Sequence, residues 1–265
     1  MTIALSSLIY YPIKACRGFE VPAWEVERMG LRDDRRMMLV TPEGGFLTQR
    51  EFPKLALVTP TLDGDRLTLS APNFDSLRLS VQRSGVTVPV DIWKSQGVQA
   101  VDQGEEAAQW FSDWLGSPVR LVHIADGYIR KVSVDHAVHP DDHTGFADGY
   151  PILIASEEGL ADLNARLETP VPMNRFRPNL VVRGAEAWAE DHWDRVQIGA
   201  IQFSVPKPCD RCVVTTIDQS TAIAGKEPLR TMATFRSRDG KVWFGENLVH
   251  HAQGTLTVGD AITVL

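Results

Sequence analysis

Two of the three cysteines in this chain stand three positions apart, in Pro208-Cys209-Asp210-Arg211-Cys212-Val213-Val214-Thr215-Thr216, with an arginine between them. A thiolate is a soft ligand suited to soft or intermediate metals, and a neighbouring guanidinium lowers a thiol pKa so that thiolate exists at neutral pH. Cys209 or Cys212 is therefore a candidate metal ligand or nucleophile. The spacing is also that of a thioredoxin-type pair or of half a zinc site, and two inert thiols share it. A thioredoxin-type pair opens a helix after a strand. Here Pro208 precedes the pair and β-branched residues follow it, so the segment predicts a loop running into a strand.

The remaining chemistry-bearing residues are dispersed. His136, His139 and His143 lie near Asp135, Asp141 and Asp142, a set able to hold a divalent ion, but Pro140 prevents helical presentation and predicts a solvated loop. The pair His250-His251 reads as structural. Lys14, Arg17, Arg32, Arg35 and Arg36 cluster early, and Arg175, Arg177 and Asn179 precede a strand. An arginine offers a donor fork matched to phosphate or carboxylate, so these are anchors for an anionic ligand, each weighed against an ordinary surface charge. No Walker loop or Gly-rich dinucleotide fingerprint is present.

The elements that must position these groups are mostly strands. Alternating or apolar runs at 36–40, 55–59, 66–70, 77–81 and 86–92 are separated by turn residues, with Asp63-Gly64 a good hairpin turn. Residues 105–115 show helical spacing through Ala108, Phe111, Trp114 and Leu115, stopped by Gly116 and Pro118. A second helix is expected over 157–167, capped by Ser156. Strands resume at 180–183, 195–205, 212–217, 255–258 and 261–265, the last two around a Gly-Asp turn. The pattern predicts an α+β, mainly β fold of two units, residues 1–120 and 121–265, with the boundary between 116 and 145.

The 265 residues carry 27 Lys plus Arg against 34 Asp plus Glu, a formal charge of −7 that gives no global attraction to a nucleic-acid polymer or an anionic membrane. No apolar run reaches the length of a membrane span, and the start has no basic leader, so membrane insertion is not expected. An odd number of cysteines fits a reducing compartment and predicts a cytoplasmic protein. Three are too few for an iron–sulfur cluster on four cysteines.

Taken together, the chain resembles the MOSC family, specifically the two-part proteins with an N-terminal β-barrel region such as YcbX-like proteins and the mitochondrial amidoxime-reducing component. The segments that carry this are Tyr11-Pro12-Ile13-Lys14, Met29-Gly30-Leu31-Arg32 with Asp34-Arg35, Thr48-Gln49-Arg50, Leu160-Ala161-Asp162-Leu163-Asn164, Phe176-Arg177-Pro178-Asn179, Cys209-Asp210-Arg211-Cys212 with Thr215-Thr216, and Lys226-Glu227-Pro228-Leu229. They run in family order across nearly the whole chain.

The resemblance implies an N-terminal β-barrel-like unit, a C-terminal MOSC β-barrel and a molybdenum cofactor whose metal carries one pterin dithiolene and one protein cysteine. By resemblance that ligand is Cys212, also the catalytic position. The cofactor contacts fall on Lys14, Arg35, Asp148, Arg177, Asn179, Arg211 and Thr216, in a site between the two units. Ala15 stands where the family often has serine. The implied activity is that of an oxidoreductase acting on amidoximes, hydroxylamines and N-hydroxylated nucleobases. Two electrons and two protons convert N–OH to N–H and water, with electrons from a separate ferredoxin-like protein, flavin reductase or haem protein. A family-level association with pyridoxal phosphate is also implied.

Two other readings remain open. One is a molybdenum-cofactor carrier or sulfur-transfer protein with a persulfide on Cys212, and the other is a metal-free binding module with inert cysteines.

Overall fold

The computed structural model describes residues 2–132 and 137–265. Nineteen strands and three short α-helices among them make an α+β, mainly β architecture. In the largest sheet, Ile262–Val264, Arg195–Ile198, Ile201–Asp210, Lys241–His250, Ile152–Ser156, Leu180–Arg183, Ala4–Tyr10 and Phe19–Glu20 follow one another edge to edge. Leu5, Leu8, Ile154, Leu180, Val196, Phe203 and Leu248 are all but sealed from water in its core. Each such side chain contributes about 1.5–3 kcal/mol relative to exposure.

The early part of the chain supplies a second sheet, ordered Met37–Val40, Arg120–Ile124, Ser95–Asp102 and Thr87–Ile92, and a three-strand meander over 59–80. Asp63-Gly64 turns the first meander hairpin, with Gly64 at φ 57°, a left-handed conformation that glycine adopts at least cost. The helix Glu105–Leu115 buries Ala107, Ala108, Trp110 and Phe111 and ends on Gly116 in the left-handed conformation, donating back to the Ser112 carbonyl. Ser156 caps the helix Glu157–Asn164 by accepting from the Gly159 amide.

The two regions interlock. Ala4–Tyr10 pairs with Leu180–Arg183, and Ala23–Glu27 pairs with Gly254–Thr257. On leaving Ala4–Tyr10, the chain crosses at Tyr11-Pro12-Ile13-Lys14 to the other sheet, where the Lys14 amide donates to the Met37 carbonyl at 2.8 Å. That crossing puts Lys14 in the seam.

Several expected strands differ. Residues 53–57 form a 3-10 turn with Pro53 opening it, and the strand begins at Thr59. Residues 195–205 split into a hairpin at Gly199. The two C-terminal strands do not pair with each other: Gly254–Thr257 joins Ala23–Glu27, and Ile262–Val264 joins Arg195–Ile198. Asp260 accepts from the Thr257 amide, so its turn passes the chain from one sheet to another. Residues 213–216 are a 3-10 turn rather than a strand. The hydroxyls of Thr215 and Thr216 donate to the carbonyls of Cys212 and Val213, a local bonding option that overrides their β propensity.

Candidate functional site

The seam opens as a cleft of about 930 Å³, counting the space open to solvent. It is floored by the end of the strand Ile201–Asp210, which is kinked by bulges on either side of Pro208, a residue that cannot donate to a ladder. The kink carries Cys209 and Asp210 to the cleft, and Cys212 follows as the cap of the 3-10 turn. Both sulfurs belong to half-buried residues. The third cysteine, Cys16, is sealed, and burial pushes its thiol up to about 12.

Lys14, Arg35, Arg50, Arg177 and Arg211 line this cleft, against the carboxylates of Asp148 and Asp210. A cationic surface thus sits in a chain whose net charge is −7. Lys14 donates to the Phe146 carbonyl and to Asp148. Burial pushes the Lys14 ammonium down, while Asp148 opposes that shift. Desolvation between the cleft walls pushes the Asp148 carboxyl up, but Lys14, the Trp93 indole N–H and Arg35 outweigh it and hold the group well below the usual carboxylate range. Arg130 fixes the loop carrying Asp148 by donating to the carbonyls of Gly145, Ala147 and Asp148.

Arg35 and Arg177 both lie over the ring of Tyr11, at 4.3 and 4.4 Å. Arg35 also donates to Asp34, Asn179 and the Arg177 carbonyl, and Arg177 donates to the Cys16 carbonyl. Both arginines have positive φ, 48° and 56°, as does Ala15 at 69°. Such backbone states cost on the order of 1–3 kcal/mol each and persist only where surroundings impose them.

Of the residues singled out in the sequence, Lys14, Arg35, Asp148, Arg177, Asn179, Arg211 and Cys212 line the cleft, and Thr216 does not. Thr215 takes that place. Asn179 is 1 % exposed, and its amide donates to the Ile9 carbonyl and Asp34 while accepting from Arg35 and the Leu153 amide. These four bonds fill the capacity of the group, so Asn179 acts by positioning Arg35. Arg211 donates to the sulfur of Cys209 at 2.8 Å and to the Phe176 carbonyl. Burial raises the Cys209 thiol pKa, and Arg211 offsets that only in part.

Other expected groups fall elsewhere. Arg32 and Arg36 face a separate recess, where Arg36 pairs with Glu27, while Arg32 pairs with Glu25 beside it, and Arg175 braces the Thr215 carbonyl and Asp218. His136 and Asp135 lie outside the described residues. His143 is buried rather than solvated, and His139 meets His251 at 3.4 Å. Among the described residues no group of three or more His, Cys, Asp and Glu is arranged to hold a metal ion on its own.

Tyr11, Gln49, Arg50, Trp93, Phe176 and Asn247 were not singled out individually, yet all but Tyr11 line the cleft and Tyr11 supports two of its arginines. A signal existed for Trp93, a bulky aromatic placed in a turn after an alternating run.

The signature of the MOSC N-terminal beta barrel domain matches residues 2–118, and that of the MOSC domain matches residues 141–263. The chain belongs to the MOSC family. It is 37% identical to mitochondrial amidoxime-reducing component 1 of Homo sapiens, over 98% of this chain and 82% of that protein. It is 35% identical to mitochondrial amidoxime reducing component 2 of Bos taurus, over 97% and 82%. A molybdenum cofactor sulfurase of Oryza sativa subsp. japonica is 32% identical over 92% of this MOSC protein but only 32% of its own length.

These names correct the expectation of a cytoplasmic protein, because the amidoxime-reducing relatives are mitochondrial. Free thiols indicate a reducing environment and do not tell one such compartment from another. The relatives' names carry no sign of pyridoxal phosphate. Among the described residues no helix is long and apolar enough to cross a membrane.

Proposed function

We propose that this protein holds a molybdenum cofactor in the cleft through Cys212 and reduces N-hydroxylated compounds with electrons from a separate donor protein. The observation that carries the reading is a cysteine in a cleft lined by five cationic side chains. The donor set fits the group. A half-buried sulfur suits a soft metal, and guanidinium forks suit an anionic tail. The buried Nε of Arg211 has no partner among the described residues.

When bound, the molybdenum centre supplies the two-electron couple. Cys212 would be its protein ligand, with Lys14, Arg35, Arg177 and Arg211 holding the anionic part. Tyr11 and Asn179 keep the two central guanidiniums in place. Burial raises the Cys209 thiol pKa and the Arg211 guanidinium holds its sulfur, so Cys209 is the braced member of the pair and Cys212 the one assigned here to the metal. The names of the amidoxime-reducing relatives support the substrate class.

The partial exposure of Cys212 also suits a second reading, a cofactor carrier or a persulfide sulfur-transfer protein, which the sulfurase relative supports. The deciding experiment is purification from cells that make the molybdenum cofactor, followed by metal and pterin analysis and turnover of benzamidoxime with a chemical reductant. Bound molybdenum with reduction to benzamidine supports the reductase. Molybdenum without turnover points to the carrier, and a persulfide without molybdenum points to sulfur transfer.

A further inference from the structure

The arginines at the back of the cleft each give some of their donors to protein groups, with Nε of Arg211 left over among the described residues. Arg35 binds Asp34, Asn179 and the Arg177 carbonyl, Arg177 binds the Cys16 carbonyl, and Arg211 binds the Phe176 carbonyl and Cys209. Arg50 differs. It is exposed, and among the described residues its guanidinium has no hydrogen bond or ion pair; its contact is with the ring of Trp93, at 5.0 Å. Its backbone is nevertheless fixed, because the amide donates to the Thr48 hydroxyl at 3.0 Å.

Trp93 is unusual in three respects. It is 43 % exposed although large and apolar, and it sits at φ 52°, a conformation that is an outlier for a bulky residue. Its ring is locked, with the indole N–H donating to Asp148 at 3.0 Å and Phe46 packed edge-on at 4.7 Å. A strained turn therefore holds a flat aromatic surface at the cleft, beside an uncommitted guanidinium. Strain retained at a ligand-facing position is a mark of function.

We propose that Arg50 and Trp93 form a specificity lip that favours planar substrates bearing a carboxylate or phosphate on the side away from the N–OH group. The inference rests on the reductase reading for the identity of the N–OH group. The Arg50 guanidinium that lies over the indole turns to pair with the oxyanion through its fork, and the ring area it uncovers takes the planar part by stacking. Lys14 pairs with the nearby Asp148 carboxylate and so offsets part of its repulsion of such a ligand.

The test is calorimetric binding to the cofactor-loaded protein without an electron donor. The probes are benzamidoxime against 4-carboxybenzamidoxime, and N-hydroxycytidine against its 5′-monophosphate, which separates carboxylate from phosphate. In the wild type each anionic probe binds more tightly than its neutral counterpart. In Arg50→Ala that preference falls about fivefold, and Arg50→Lys recovers part of it. Raising the salt concentration narrows the preference in the wild type.

Equal weakening of charged and neutral probes in Arg50→Ala, or no change in either, overturns the lip. So does a loss of molybdenum from that variant, which would assign Arg50 to the cofactor. Preferential binding that depends on Arg50, combined with no reduction of any probe, sustains the lip and removes the reductase reading instead.

Discussion

The guanidinium of Arg211 meets the sulfur of Cys209 at 2.8 Å, so the arginine between the two cysteines is committed to the first of them. This gives the pair different duties. Cys209 belongs to a brace that runs through Arg211 to the Phe176 carbonyl, while Cys212 caps the next turn at the cleft. On the proposed function, Cys212→Ser loses at least nine-tenths of the bound molybdenum, roughly the loss of one soft ligand. Cys209→Ser retains most of it with a weakened Arg211 contact. Metal analysis of the two purified variants checks the contrast.

Tyr11 links the cleft to the strand crossing. Its hydroxyl donates to the Pro178 carbonyl at 3.0 Å, and its ring carries Arg35 and Arg177. Tyr11→Phe removes the hydroxyl alone and is expected to cost about 1 kcal/mol in denaturant unfolding, with the cofactor content preserved. Tyr11→Leu also removes the stacking surface, so cofactor content falls together with stability. A Leu variant that retains full cofactor content would show that the two arginines are held without the ring.

The contacts of Tyr11 show where the sequence could be read and where it could not. The helix over 105–115 and the strand at 180–183 follow from spacing and caps that lie within the segments themselves. The turn at 213–216 did not, because β-branched residues favour a strand until threonine hydroxyls find local carbonyls. Lys14, Arg35, Arg177 and Cys212 are legible in the sequence only through its resemblance to the family motifs, and the cleft brings them together. Asn179 is legible in the same way, but only its four bonds reveal a positioning role. Arg50 and Trp93 meet through tertiary packing between residues 43 positions apart, which no local pattern encodes.

Gly145 is a close-approach position. A Cβ there would stand 2.8 Å from the Arg35 carbonyl, and the same carbonyl accepts from the Phe146 amide. Gly145→Ala must therefore shift the loop that presents Asp148 or the turn that presents Arg35. Expected are a loss of about 1–3 kcal/mol in denaturant unfolding and weaker cofactor retention. Wild-type stability in the alanine variant would mean that the loop yields freely.

Glu246 provides the pH dependence. It is 3 % exposed on the strand Lys241–His250, next to the cleft residue Asn247. Burial, with the charges of Asp191 and Glu190, pushes its carboxyl up to about 8. An unfolded glutamate titrates at about 4.3, so between that pH and the folded value the folded chain keeps a proton that the unfolded chain has released. Stability from this group is present in full below the unfolded pKa and is lost as pH rises through the folded one. Glu190, also raised by burial, acts in the same direction. The imidazoles of His123, His143, His250 and His251, which burial pushes down, act in the opposite sense below about pH 6.5. The carboxyl is therefore read as a difference: the thermal midpoint of Glu246→Gln should rise relative to the wild type from pH 5 to pH 8, with its largest relative gain at pH 8 and none near pH 4. Parallel pH profiles for the two proteins would show that Glu246 ionises in the fold much as it does in the unfolded chain.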